Sequence, residues 1–247
     1  MGARARARSL RWLLMLIAGA AVLAPSVAIA QPVSLAGTVM EVQLWPGGEP
    51  GYTLFIVTGH IPEDVDLPVT VRLPLPEGSR VIWSGEILGG PVAEDPERES
   101  AAVDVPGGRA LEITVESTRT VQYEAVGPPL AIVDGLTTTV FDWVQSVPAG
   151  EVSFSVRLPP TAEEVRLDPE APGPPRVNEA GEKLYTLWPV TLAEGQEFTV
   201  TAAYGRAGAG TDGSPARPGV LPVLLGLLGV ALVVLMIVLF KQKERGD

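Results

Sequence analysis

Four polar side chains crowd the stretch "TGHIPEDVD": His60, Glu63, Asp64 and Asp66. One imidazole and three carboxylates so close together could hold a divalent cation, and oxygen donors suit calcium. The spacing matches no EF-hand loop. The plainer reading is a turn that charge keeps solvated, so the four residues stand only as a candidate cation site. His60 is the only histidine of the chain. A Ser-His-Asp hydrolase needs just one, but no GxSxG elbow presents a serine to it. HExxH and a Gly-rich phosphate loop after a strand are also missing. The chain has no cysteine, which removes thiol nucleophiles, thiolate metal sites and disulfides. Met40 is the one methionine between the two apolar ends, too few for a copper site of the His/Met kind. Paired carboxylates for glycoside hydrolysis cannot be singled out among so many acids. No catalytic, cofactor-binding or metal-ligating residue is therefore assigned, and a non-enzymatic protein is expected. Trp45, Trp83, Trp143 and Trp188 fall in or beside strand-like runs, where core or strand-end packing is the expectation and a binding platform the alternative.

Such residues need elements to place them. The ends come first. Arg4, Arg6, Arg8 and Arg11 precede the apolar run "WLLMLIAGAAVLA", and "AIA" (Ala28 to Ala30) closes it. That is the pattern of a secretory signal peptide over residues 1–30. A second uncharged run, Val220 to Phe240, has 21 residues. As a helix it would span about 31 Å, enough for a bilayer core. Lys241, Lys243 and Arg245 follow in the tail 241–247, which places the tail in the cytoplasm and the preceding chain outside. The expected location is the cell membrane, crossed once, with the lipid bilayer as one partner. Gly226 and Gly229 could let a second helix approach closely, although they do not form GxxxG. Residues 206–219, "RAGAGTDGSPARPG", read as a Gly/Ser/Pro stalk.

Between Gln31 and Pro218 stand 27 acidic and 11 basic residues. A surface so acidic argues against nucleic acid as a partner.

This middle region reads as all-β. Short β-branched and aromatic runs alternate with Gly and Pro, and no helical period is sustained. In "EVSFSVRL", Val152, Phe154, Val156 and Leu158 fall on one face and Ser153, Ser155 and Arg157 on the other, the period-two pattern of a half-buried strand. The tetrapeptide VRLP occurs twice, at Val71 to Pro74 and at Val156 to Pro159. Aligning the copies sets Val69 against Phe154, Leu73 against Leu158 and Arg72 against Arg157. The flanks then correspond in order: "YTLFIVTG" with "LTTTVFDW", "SRVIW" with "EEVRL", "RALEITV" with "KLYTLWPV", and "RTVQYEA" with "EFTVTAAY". Tandem duplication is the expectation; one larger sandwich of similar strands is the rival. The division is expected at "VGPP" (Val126 to Pro129), a stiff linker. It gives two immunoglobulin- or fibronectin-III-like β-sandwiches, 31–125 and 126–205, followed by the single transmembrane helix 220–240.

"VQYEA" (Val121 to Ala125), "FDW" (Phe141 to Trp143), the VRLP strand and "FTVTAAYGR" (Phe198 to Arg206) resemble uncharacterised bacterial exported β-sandwich proteins with a single C-terminal membrane anchor. The resemblance covers the second half of the chain and implies an architecture without an activity. The expected function is a membrane-anchored extracytoplasmic binding or assembly protein of the bacterial envelope, with a protein partner. The alternatives are an accessory subunit docking through its transmembrane helix, and a hydrolase of envelope polymers.

Overall fold

The computed structural model describes residues 32–206, and the expected signal peptide, stalk, membrane helix and tail, with Gly226 and Gly229, lie outside them. The described residues are all-β: β1 (Leu35–Glu49), β2 (Tyr52–His60), β3 (Val69–Pro74), β4 (Arg80–Glu86), β5 (Ser100–Val105), β6 (Gly108–Val115), β7 (Thr120–Pro129), β8 (Ala131–Val133), β9 (Leu136–Val144), β10 (Ala149–Leu158), β11 (Ala162–Asp168), β12 (Arg176–Val177), β13 (Lys183–Thr186) and β14 (Glu197–Arg206). The only helical turn among them is the 3-10 turn Val92–Glu94.

The strands form three sheets, in the orders β12-β13-β10-β1-β2-β7-β4, β11-β14-β9-β8 and β3-β6-β5. Lettered A to G in chain order, β1–β7 make the sheets A-B-G-D and C-F-E. Strands β8–β14 make the same two. The strand equivalences drawn from the VRLP alignment are thus reproduced in the hydrogen-bonded pairing. Arg72 and Arg157 also match in use. Each is bound through Nε at 2.9 Å to a glutamate, Glu112 within the neighbouring F strand and Glu182 just before it.

Two expectations need correction. Immunoglobulin constant-type sandwiches have sheets ABED and CFG. Here E and G have exchanged places, so the four-plus-three layout is shared but the connectivity is not. The halves are also not separated at Val126 to Pro129, because those residues are the end of β7, with Leu54 opposite Val126 and Tyr52 opposite Pro129. Instead β1 pairs in parallel with β10, Met40 opposite Val152 through Leu44 opposite Val156, which fuses the first repeat's A-B-G-D sheet to the second repeat's C-F-E sheet. The whole described chain falls in one compact unit.

The seven-stranded sheet forms one layer, and both smaller sheets cover the same face of it. Alternation directs Met40, Val42 and Leu44 of β1, Phe55 and Val57 of β2, and Val152, Phe154 and Val156 of β10 to that face, and all are buried. Phe55 meets Phe141 of β9 at 5.0 Å between ring centroids, and Phe154 meets Trp143 edge-on at 5.9 Å. Over the first repeat, the Tyr123 hydroxyl of β7 donates to the Pro74 carbonyl of β3. The two B strands touch through like residues: Thr53 and Thr139 share a hydroxyl hydrogen bond of 2.7 Å just beside the Phe55–Phe141 contact. Trp143, Phe141, Phe154, Tyr123 and Tyr204 lie in one continuous core. Each fully buried aromatic of this size removes about 150–250 Å² from water, which is how a chain without cysteine supports this architecture.

Candidate functional site

The four residues of the candidate cation site are not gathered. His60 ends β2 and turns its Nε2 toward Glu41 Oε1 of the neighbouring β1 at 3.6 Å. Glu63, Asp64 and Asp66 belong to the turn that follows. The guanidinium of Arg119 donates to the carbonyls of Pro62 (2.6 Å) and Val65 (2.8 Å), so a cation already caps the inward oxygens of that turn. Among the described residues no group of three or more His, Asp or Glu side chains is placed to hold a metal ion.

The polar constellation that does form was not visible in the sequence. Glu86, the last residue of β4, is completely buried. Its Oε1 accepts from Arg98 Nε (2.6 Å) and the Glu116 N–H (2.9 Å). Its Oε2 accepts from the Ser117 N–H (2.8 Å), the Ser117 hydroxyl (2.9 Å) and the Thr118 N–H (2.6 Å). Burial on its own would raise the carboxyl pKa. The backbone donors of Glu116, Thr118 and Ser117, with Arg98, outweigh it and hold the pKa at about 2. Arg98 Nη1 also reaches Glu116 Oε2 at 3.0 Å.

This network fastens the D-to-E crossover of the first repeat. The segment returns along the edge of β4: Glu86 N–H to the Pro96 carbonyl (3.1 Å), Arg98 N–H to the Ser84 carbonyl (2.8 Å), and Ser84 Oγ to the Arg98 carbonyl and Ser100 Oγ (2.9 Å each). Gly85 makes the approach possible, because a Cβ there would lie 2.3 Å from the Pro96 carbonyl oxygen. A carboxylate enclosed by five donors has no free lone pair for substrate. Its chemistry is structural.

The equivalent crossover of the second repeat, "PEAPGPP" from Pro169 to Pro175, leaves an opening instead. A cleft of about 450 Å³ is lined by Val165, Arg166, Leu167, Glu170, Ala171, Gly173 and Tyr185. Tyr185 pairs with the buried Val156, so its ring is on the inner side of the sheet, at the mouth between the layers. Burial raises its phenol pKa. One guanidinium, one carboxylate and one phenol beside Val165, Leu167 and Ala171 can bind a side chain or a small polar ligand. They include no nucleophile–base pair.

The tryptophans divide. Trp143 is fully buried and donates from Nε1 to Gln145 Oε1 at 2.9 Å. Trp45 lies under the guanidinium of Arg157, 3.9 Å from the ring centroid, and Trp83 covers Gly85. Trp188 departs from the packing expectation: 68 % of it is exposed. It projects from a bulge pinned on both sides to β10, by the Leu187 N–H on the Phe154 carbonyl (2.9 Å) and by reciprocal Val190–Val152 bonds of 2.8 and 3.0 Å. The Trp-Pro pair does not mark it, because Trp45 also precedes a proline and yet lies under Arg157 within an unbroken β1.

No protein-family model and no curated protein matches this chain.

Proposed function

We propose that this protein is a membrane-anchored, extracytoplasmic binding or assembly protein of the bacterial envelope, acting without catalysis. The apolar segment 220–240 would anchor it, and the two fused repeats would serve as a rigid platform for a protein partner. Trp188 carries the reading. Exposed tryptophans on a fixed backbone are the commonest anchors of protein interfaces, because a large area is buried with little side-chain entropy lost. The bulge that holds Trp188 keeps the ring outside the ladder, and the core does not use it. The arrangement of Glu86 supports the same reading, since the most elaborate polar network among the described residues is spent on fastening a loop.

The test is cross-linked co-purification of the full chain from native membranes, wild type against Trp188→Ala. Loss of at least tenfold of a specifically recovered protein, with thermal unfolding unchanged, is the expected result. Equal recovery by the variant overturns the assignment of Trp188, and turnover of an envelope polymer by purified protein overturns the non-enzymatic reading.

A further inference from the structure

The seven-stranded sheet ends at β12, which is only two residues long. It sets Arg176 opposite Leu184 and Val177 opposite Lys183, and then stops. The matching strand of the first repeat, β5, runs further and sets Ser100 opposite Ile113. Ile113 is the residue opposite Val71, as Tyr185 is opposite Val156. The place that Ser100 takes beside Ile113 is thus taken by no strand residue beside Tyr185. The sequence enforces the stop. Continuing the register would bring Pro175 opposite Tyr185 and Pro174 opposite Thr186, and neither proline has an N–H for a ladder. A Cβ on Gly173 would meet nothing within 4 Å, so the crossover is open around this point.

The edge left bare has a direction. The Leu187 N–H binds the Phe154 carbonyl of β10, so the N–H and C=O of Thr186, one residue earlier, point the other way, out of the sheet. From Tyr185 to Trp188 the edge runs about 13 Å, enough for a strand of about four residues. These four residues carry no charge, although charge is a usual means of blunting an edge. Their side chains alternate. Tyr185 and the buried Leu187 face the covering sheet, while the exposed Thr186 and Trp188 face outward. On the inner side the edge opens into the cleft of about 450 Å³, where Val165, Leu167 and Ala171 are half-buried.

We infer that the protein partner supplies an extended segment that adds to β13 along Tyr185 to Trp188, antiparallel to it, in the place that Pro174 and Pro175 leave. The inference rests on the binding role proposed above and names the form of the partner. Main-chain bonds to Thr186 supply affinity, and alternate side chains supply specificity. The inward side chain enters the cleft and is apolar, to match Val165, Leu167 and Ala171. It is larger than the Ser100 whose position it takes, because this crossover stands away from the edge. The next side chain lies outward, against Trp188. One occupant then accounts for two features that the core does not use, the cleft and the exposed ring.

A proline at position 186 removes the edge N–H and no bond to β10, because that N–H points outward. Full-length Thr186→Pro and Thr186→Val are compared with the wild type by cross-linked recovery from native membranes, with thermal melts of each. The expected result is a loss of at least tenfold for Thr186→Pro and of less than twofold for Thr186→Val, which keeps the N–H. Equal loss in both variants places the contact on the side chain and overturns the strand addition. Full recovery by Thr186→Pro, with loss by Trp188→Ala, also overturns it and leaves the binding role standing. If Thr186→Pro melts early, amide exchange in the recovered wild-type complex decides. The Thr186 N–H should then exchange at least tenfold more slowly than in the free protein, and unchanged exchange overturns the inference. Recovery of a second copy of this chain alone overturns the assignment to a different protein. If the wild type recovers nothing specific, the binding role itself fails, and the inference with it.

Discussion

The D-to-E crossover occurs twice in this molecule, and the copies have opposite characters. In the first repeat, the segment between β4 and β5 is drawn onto the edge of β4 and locked by Glu86. In the second, the segment between β11 and β12 stands away and leaves the cleft beside Tyr185. The matched core positions show the consequence. Ile113, opposite Val71 in the first VRLP strand, is sealed. Tyr185, opposite Val156 in the second, lines an opening. Duplicated strands keep their alternation because the core demands it. The crossovers are free to diverge, so one has become a fastening and the other a recess.

The largest effect should come from breaking the fastening. Glu86→Ala strands three backbone N–H groups and the Ser117 hydroxyl, and leaves the half-buried Arg98 with only Glu116 as a partner. Removing one member of such a set costs about 3–5 kcal/mol. Urea unfolding should report a loss of that size. A loss under 1 kcal/mol would mean that water replaces the carboxylate and that the crossover is held by its backbone ladder alone.

Acid should weaken the same fastening without mutation. The folded pKa of Glu86, about 2, lies below its ordinary value of 4.5. A depressed carboxyl pKa contributes stability that is complete above the unfolded value and is lost as pH falls through the folded one. Stability should therefore decline between about pH 4.5 and pH 2, by roughly 3 kcal/mol from this group. Glu86→Gln, less stable at neutral pH, should lose that part of the decline. An unchanged acid limb in the variant would assign it to other carboxylates.

Gly85→Ala tests the approach of the two chains. The new methyl meets the Pro96 carbonyl oxygen and the Trp83 ring, at 2.3 and 2.7 Å. Displacing the crossover should cost about 2 kcal/mol, within the usual range for a point change with a named steric cause. Amide exchange should rise at Glu86 and Arg98, whose N–H groups bind across the contact, and stay unaltered in β10. Protection that persists at both amides would show that the strand edge yields elsewhere.

What the sequence revealed follows from the range of each interaction. Alternation is a property of neighbours two residues apart. That is why the inward sets of β3 and β10 and the strand equivalences between repeats were readable. The parallel pairing of β1 with β10 joins residues more than a hundred positions apart, and nothing local announces it. Val126 to Pro129 looked like a linker because of its two prolines, yet Pro129 stands at the very end of β7, where a strand tolerates a missing N–H. Glu86 escaped notice because most of its partners are backbone amides and a serine hydroxyl, invisible as a motif. The acids after His60 attracted attention by composition, while Arg119, far along the chain, had already taken the carbonyls of their turn.

The smallest predicted effect lies on the open side of the comparison and decides whether the recess is built for a ligand. Tyr185→Phe removes only the hydroxyl from a half-buried ring at the mouth of the cleft. If the recess is simply an unfastened seam, the phenol does no structural work, and stability should change by less than about 0.5 kcal/mol. The change should also be the same in the presence of the proposed protein partner. A cost near 2 kcal/mol in the isolated protein would mean that the hydroxyl is engaged as firmly as the donors around Glu86, and the two crossovers would no longer differ in kind. A variant unchanged alone but weakened in partner binding would make the cleft, and not only Trp188, part of the recognition surface. Urea unfolding and partner recovery, measured on the same variant, separate these outcomes because only the second depends on what enters the cleft.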